Sequence, residues 1–213
     1  MKTIKLRSAI FAALIFGLTS SSAMADFEKG LAAYETGNLP LAYKEFLESA
    51  EKGDALSQYN VAMMFEQGIG VGKDEKQAFA WYIKSSTAGN AAAQFNLGVL
   101  YENGRGTSVN FAKANEWYRK AAVQGDAMAV GNLGMLYIRG DGVKVNKVAG
   151  IALLLLSATI DPSPENFARR NISGTRGLTP EIIQAAQALS DEMSASKNML
   201  LPLDAYLSQM SKP

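Results

Sequence analysis

The chain has 213 residues, 48% of them hydrophobic, with 21 basic against 20 acidic side chains and neither Cys nor His. That length and apolar content can build a sizeable core, while the near-neutral charge leaves no electrostatic footprint for nucleic acid or an anionic membrane. Without imidazole or thiol, zinc sites on those ligands, Ser-His-Asp triads and Cys-His nucleophiles are excluded, and an exported form must fold without disulfides.

In chain order, Lys2, Lys5 and Arg7 precede an apolar run from Ser8 to Leu18, and Ala23-Met24-Ala25 comes next with small residues at both cleavage-site positions. This pattern predicts a secretory signal peptide over 1–25, cleaved after Ala25, and hence a periplasmic or secreted protein. The run is too short for a membrane span; a retained N-terminal anchor is the alternative. Cleavage removes three of the 21 basic residues and no acid, leaving 18 against 20. No later run is long enough to cross a bilayer: the densest, Val148 to Ala158, is broken by Gly150 and Ser157, so no membrane insertion is expected after cleavage.

Beyond the leader the chain is organised by a repeat. Ala55, Gln58, Asn60, Phe65, Gly68, Gly70, Ala78, Trp81 and Tyr82 recur 36 residues on as Ala91, Gln94, Asn96, Tyr101, Gly104, Gly106, Ala114, Trp117 and Tyr118. A third copy begins at Ala127, with Asn132, Leu133, Gly134, Tyr137, Gly140 and Gly142 again in register. A fixed period of this size means stacked supersecondary units, because one unit cannot bury its own apolar face. Each unit reads as helix, Gly-rich loop, helix. Ala62 and Gly98 allow close helix approach, Gly68 and Gly104 end the first helix, and Asp74 and Asn110 cap the second. Asp26 to Asp54 is a shorter first copy, with Gly37-Asn38 at its turn and Ala42 in register with Ala78.

The fourth copy loses the Trp-Tyr pair to Leu153 and Leu154 within the run Ile151 to Leu156. A helix that is apolar all round must be covered, and the C-terminal segment is expected to cover it. Ser163-Pro164-Glu165 and Thr179-Pro180-Glu181 both read as helix openings. Ile182, Ile183, Ala186 and Leu189 form an apolar stripe, and a last short helix is expected to hold Leu203, Tyr206 and Leu207.

The pattern running from Ala91 through Gln94, Leu97-Gly98, Tyr101 and Gly104 to Trp117-Tyr118 and Gly125-Asp126 resembles the Sel-one-like repeat (SLR), a longer-looped relative of the tetratricopeptide repeat. The resemblance covers Ala55 to about Ser157. It implies an all-α, right-handed α-solenoid of four helix-turn-helix repeats: leader 1–25, solenoid 26–160 and C-terminal helical cap 161–213. It also implies an adaptor that binds other proteins. Some exported relatives are Cys-rich and linked to β-lactams, and this chain departs from them in having no Cys.

In such stacks the first helices line a concave face. By the Leu-Gly register, the resemblance places Tyr34, Leu56, Tyr59, Met63, Glu66, Phe95, Val99, Glu102, Asn103, Met128, Met135, Ile138 and Arg139 on that face as protein-binding residues. Met and large aromatics suit a partner helix or extended peptide; the competing reading packs several of them into the solenoid itself. Trp81, Tyr82, Trp117 and Tyr118 could stack a ligand, but their repeat spacing reads as core. The loop Gly68 to Lys73 lacks the phosphate-loop spacing and comes after a helix. Ser194 and Lys197 form an isolated Ser-x-x-Lys without its partner motifs.

No catalytic constellation, cofactor fingerprint or metal-ligand set is predicted. The expected function is a non-enzymatic periplasmic scaffold: adaptor, regulator or inhibitor of an envelope protein or peptide segment. The alternative is an envelope hydrolase of peptidoglycan or β-lactams acting through carboxylates such as Glu66 and Glu102. The sequence leaves the oligomeric state open.

Overall fold

The computed structural model describes residues 21–210, all of whose regular secondary structure is helical. Among the described residues eleven helices succeed one another: α1 (Ser21–Glu35), α2 (Leu39–Glu51), α3 (Ala55–Gln67), α4 (Glu75–Thr87), α5 (Ala91–Asn103), α6 (Phe111–Val123), α7 (Ala127–Arg139), α8 (Lys147–Ile160), α9 (Ala168–Gly174), α10 (Pro180–Ala195) and α11 (Leu200–Met210). The architecture is of the α-solenoid class, built from four helical hairpins and then C-terminal helices. The chain divides into two compact units at the repeat boundary between Asn90 and Ala91. The charged and apolar parts of the predicted leader lie outside the described residues. Its last five residues open α1, where Ala23 is buried and its carbonyl accepts from Ser49 Oγ at 2.8 Å.

Side-chain caps set the helix starts. Asn38, Asp74, Asn110 and Asn146 stand 36 residues apart, and each accepts from a backbone N–H in the first turn of a second helix. Asp54 and Asp126 do the same for first helices, at 2.7 Å to Ser57 N and 2.8 Å to Ala129 N. These bonds satisfy donors that a helix N-terminus otherwise leaves unpaired. At the other end, Gly68 and Gly140 close α3 and α7 in the left-handed region, with φ of 71° and 80°, where a Cβ would be strained.

In the first unit α1 pairs with α2 and α3 with α4, while α2 packs on α3. Ala42, Phe46, Val61, Ala62 and Tyr82 form its core, each at most 2% exposed. A buried Ser fastens each hairpin: Ser49 to α1, and Ser85 Oγ to the Ala55 carbonyl at 2.7 Å.

In the second unit α5–α6 and α7–α8 are hairpins and α6 packs on α7. Ser157 Oγ repeats the tie, donating to Ala127 O at 2.7 Å. Helix spacing depends on side-chain size. Between α5 and α6 the Tyr118 ring lies against Gly98, where an added Cβ would meet ring carbons at 2.5 and 2.6 Å. Between α7 and α8 the Tyr equivalent is Leu154, and the backbones close until a Cβ on Gly134 would stand 2.7 Å from Gly150 O.

Helix α8 is apolar all round and is covered as expected, by α7, α9 and α10; Ile151 to Leu154 are at most 1% exposed. Thr179 caps α10, and Leu203 of α11 is fully buried. The predicted helix opening at Ser163-Pro164-Glu165 is corrected: those residues form a turn, and α9 begins only at Ala168. The cause is Asn166, a buried amide that donates at 2.8 Å to both Ser157 O and Asp161 O. Those bonds hold the chain in a loop where a Pro-led helix would otherwise continue.

Candidate protein-binding surface

The predicted surface residues fall on both units. In the first, Tyr34 on α1 and Leu56 and Glu66 on α3 are half-buried. Tyr59 and Met63 are only 8% and 9% exposed. Tyr59 packs edge-on against Tyr82, with ring centroids 5.9 Å apart, so these two side chains support the helix face from beneath.

In the second unit α5 presents Phe95, Val99 and Glu102 half-buried and Asn103 exposed. Helix α7 presents Met128, Met135 and Ile138 half-buried and Arg139 exposed. Phe95 leans on Tyr118 at 6.0 Å between centroids, and Asn103 Nδ2 donates to Val99 O at 2.9 Å. Arg139 joins the two helices, donating to Glu102 at 2.6 Å and to Asp141 of the adjoining loop at 2.6 Å.

The carboxylates at the ends of the first helices are engaged. Tyr82 Oη donates to Glu66 at 2.6 Å, and Tyr118 Oη to Glu102 at 2.7 Å, across the same 16-residue separation. Glu102 thus places one oxygen on a phenol and the other on a guanidinium. Burial, with the Glu102 charge next in importance, pushes the Tyr118 phenol far above the ordinary tyrosine range, so it stays a donor. These contacts supply charge-assisted hydrogen bonds between helices.

Met135 and Ile138 also line an open cleft of about 510 Å³ with Lys147 of α8 and Arg170, Asn171, Gly174, Thr175 and Arg176 on or just after α9. Sequence reasoning missed the basic half of this cleft. Its signal was the stretch 168–180, which carries Arg169, Arg170 and Arg176 and no acid.

The Sel1 repeat family model matches residues 55–90, 91–126 and 127–160. The chain belongs to the Sel1-repeat family. It is similar to a solved Sel1 repeat protein from Oxalobacter formigenes, at 28% identity and a TM-score of 0.63, covering 78% of this chain and 70% of that one. It is also similar to c5321, a protective antigen of uropathogenic Escherichia coli strains with an SLR fold, at 28% identity and a TM-score of 0.51. That match covers 90% of this chain but about half, 49%, of the antigen. No curated protein matches the chain.

Sel1 repeats characteristically form interaction scaffolds without catalytic machinery, which fits where this Sel1-repeat protein spends its aromatics. Tyr82 and Tyr118 are fully buried. Trp81 and Trp117 are roofed by Lys84 and Lys120, with Nζ at 3.6 and 3.9 Å from the ring centroids. One face of each indole is covered by a cation–π contact from one turn away. Phe95, Val99, Met128, Met135 and Ile138 of the first helices are left half-exposed, while among the most exposed large apolar side chains Val109, Val145, Phe167 and Leu201 lie outside those helices.

Proposed function

We propose that this Sel1-repeat protein is a non-enzymatic scaffold, exported to the periplasm after cleavage at Ala25, that holds an envelope protein or peptide against its first-helix faces as adaptor, regulator or inhibitor. The observation that carries the reading is the set Phe95, Val99, Met128, Met135 and Ile138: apolar or Met side chains on α5 and α7 that the fold leaves half-exposed. Residues of α9 and of the turn after it face Met135 and Ile138 across an open cleft. Helices α9 and α10 pack on α8, and α11 packs on α10. Apolar surface left open in this way favours a second polypeptide, and Met adapts to its shape.

The test is affinity capture from envelope extract with wild-type protein and with Phe95→Asp and Met135→Asp. A specific partner captured by the wild type and lost from both variants, with helical content intact, supports the scaffold. Retention of every captured protein by both variants removes this surface from the account. Export is checked by fractionation and N-terminal sequencing, with Asp26 the expected first residue.

A further inference from the structure

Deepening the scaffold reading and resting on it, we infer that the cleft between α7 and α9 takes an acidic peptide segment carrying an apolar side chain. The cleft is large enough for a few residues, about 510 Å³, within the usual size of binding pockets. Its wall and floor differ in chemistry. Met135 and Ile138, half-buried on α7, give an apolar surface; Lys147, Arg170 and Arg176 bring three cations. No acid lines it.

The cations are placed but not neutralised. Lys147 Nζ donates to the carbonyls of Arg176 and Gly177, at 3.0 and 3.4 Å, fastening the turn after α9. The Arg170 guanidinium lies over the Phe167 ring at 4.5 Å. Among the described residues, no carboxylate pairs with Lys147, Arg170 or Arg176. By contrast Arg119 and Arg139 both hold acids. In a chain with a formal net charge of only +1, three uncompensated cations around one apolar floor are a local departure.

Guanidinium forks match carboxylates in a planar, bidentate way, and clusters of Arg are a recurring device for acidic motifs. The apolar floor argues for a peptide rather than a bare anion. The cleft also lacks an aromatic lining residue on which a nucleobase could stack.

The probe is a pool of fluorescein-labelled hexapeptides built from Glu, Asp and Leu, titrated against the full chain by anisotropy. Parallel titrations use the same peptides with Gln and Asn for the acids, a single-stranded oligonucleotide and vesicles of anionic phospholipid. The acidic peptides should bind, weaken as salt rises, and lose about tenfold or more in affinity on the double change Arg170→Glu, Arg176→Glu. The milder pair Arg170→Gln, Arg176→Gln should give a smaller loss in the same direction, with unchanged circular dichroism. Absent binding of the acidic pool, equal binding of the neutral pool, preference for oligonucleotide or vesicle, or undiminished affinity in both double variants overturns the inference. Captured envelope partners separate the two readings. If Phe95→Asp loses them and the arginine variants keep them, the cleft fails and the scaffold stands; if neither loses them, both fail.

Discussion

Tyr118 shows how much one residue contributes in this fold. Its ring fills the gap over Gly98 and its hydroxyl reaches Glu102 at 2.7 Å. Tyr118→Phe keeps the packing and deletes the bond, and should cost about 1–2 kcal/mol by urea unfolding, since Glu102 retains Arg139. Gly98→Ala should cost about 1–3 kcal/mol despite the better helix propensity of Ala, because a buried ring must move. The raised phenol also sets a pH dependence. A folded pKa above the unfolded one gives stability that is complete below about pH 10 and lost as pH rises beyond it. Alkaline unfolding should therefore start above about pH 10 and be shallower in Tyr118→Phe. The close approach at Gly98 was legible in the sequence, as a small residue recurring with Ala62. The phenol–carboxylate bond was not, because 16 residues of separation place its partners on different helices, and only the packed hairpin brings them together.

Among the elements, the helices of the repeat were readable because local chemistry and long-range period agree. Acceptor side chains at 38, 74, 110 and 146 cap where the register demands. What escaped reading depended on tertiary placement. A buried Asn166 overrides the Pro-led helix signal at 163–165, and Arg170 and Arg176 meet Met135 and Ile138 only once the chain has turned back. Helix α11 is tied to α6 by Arg119, which donates to both oxygens of Asp204 at 2.6 Å. The pair is partly exposed, so Asp204→Asn should cost at most about 1 kcal/mol. It should instead raise hydrogen exchange across residues 200–210, leaving protection of α8 unchanged. Helix α8 lies at the opposite extreme. Leu153 is fully buried, and Leu153→Ala should cost about 2–5 kcal/mol and lower the melting temperature of the second unit.

At the scale of the whole molecule, the repeat explains the fold more completely than it explains the partner. Leu97, Leu133 and Val61 are fully buried because their position in the period faces the hairpin; Phe95 and Val99 are half-exposed although Tyr59 and Met63, one period earlier, are buried. The Leu-Gly register yields an expected outward set but not how far each member stands out, and Tyr59 and Met63 lie under the surface they were expected to form. Export belongs to this scale as well: the mature protein should be recovered from the periplasmic fraction with its leader removed.

The most direct measurement of the central claim, that the open first-helix faces hold another polypeptide, is site-specific photo-crosslinking in the living envelope. A photoreactive residue is placed at 95 or 135, with position 116, exposed on α6, as the control. The account predicts one discrete crosslinked partner shared by 95 and 135 and missing at 116. Crosslinks at 95 and 135 that are absent, or no different from those at 116, would contradict it.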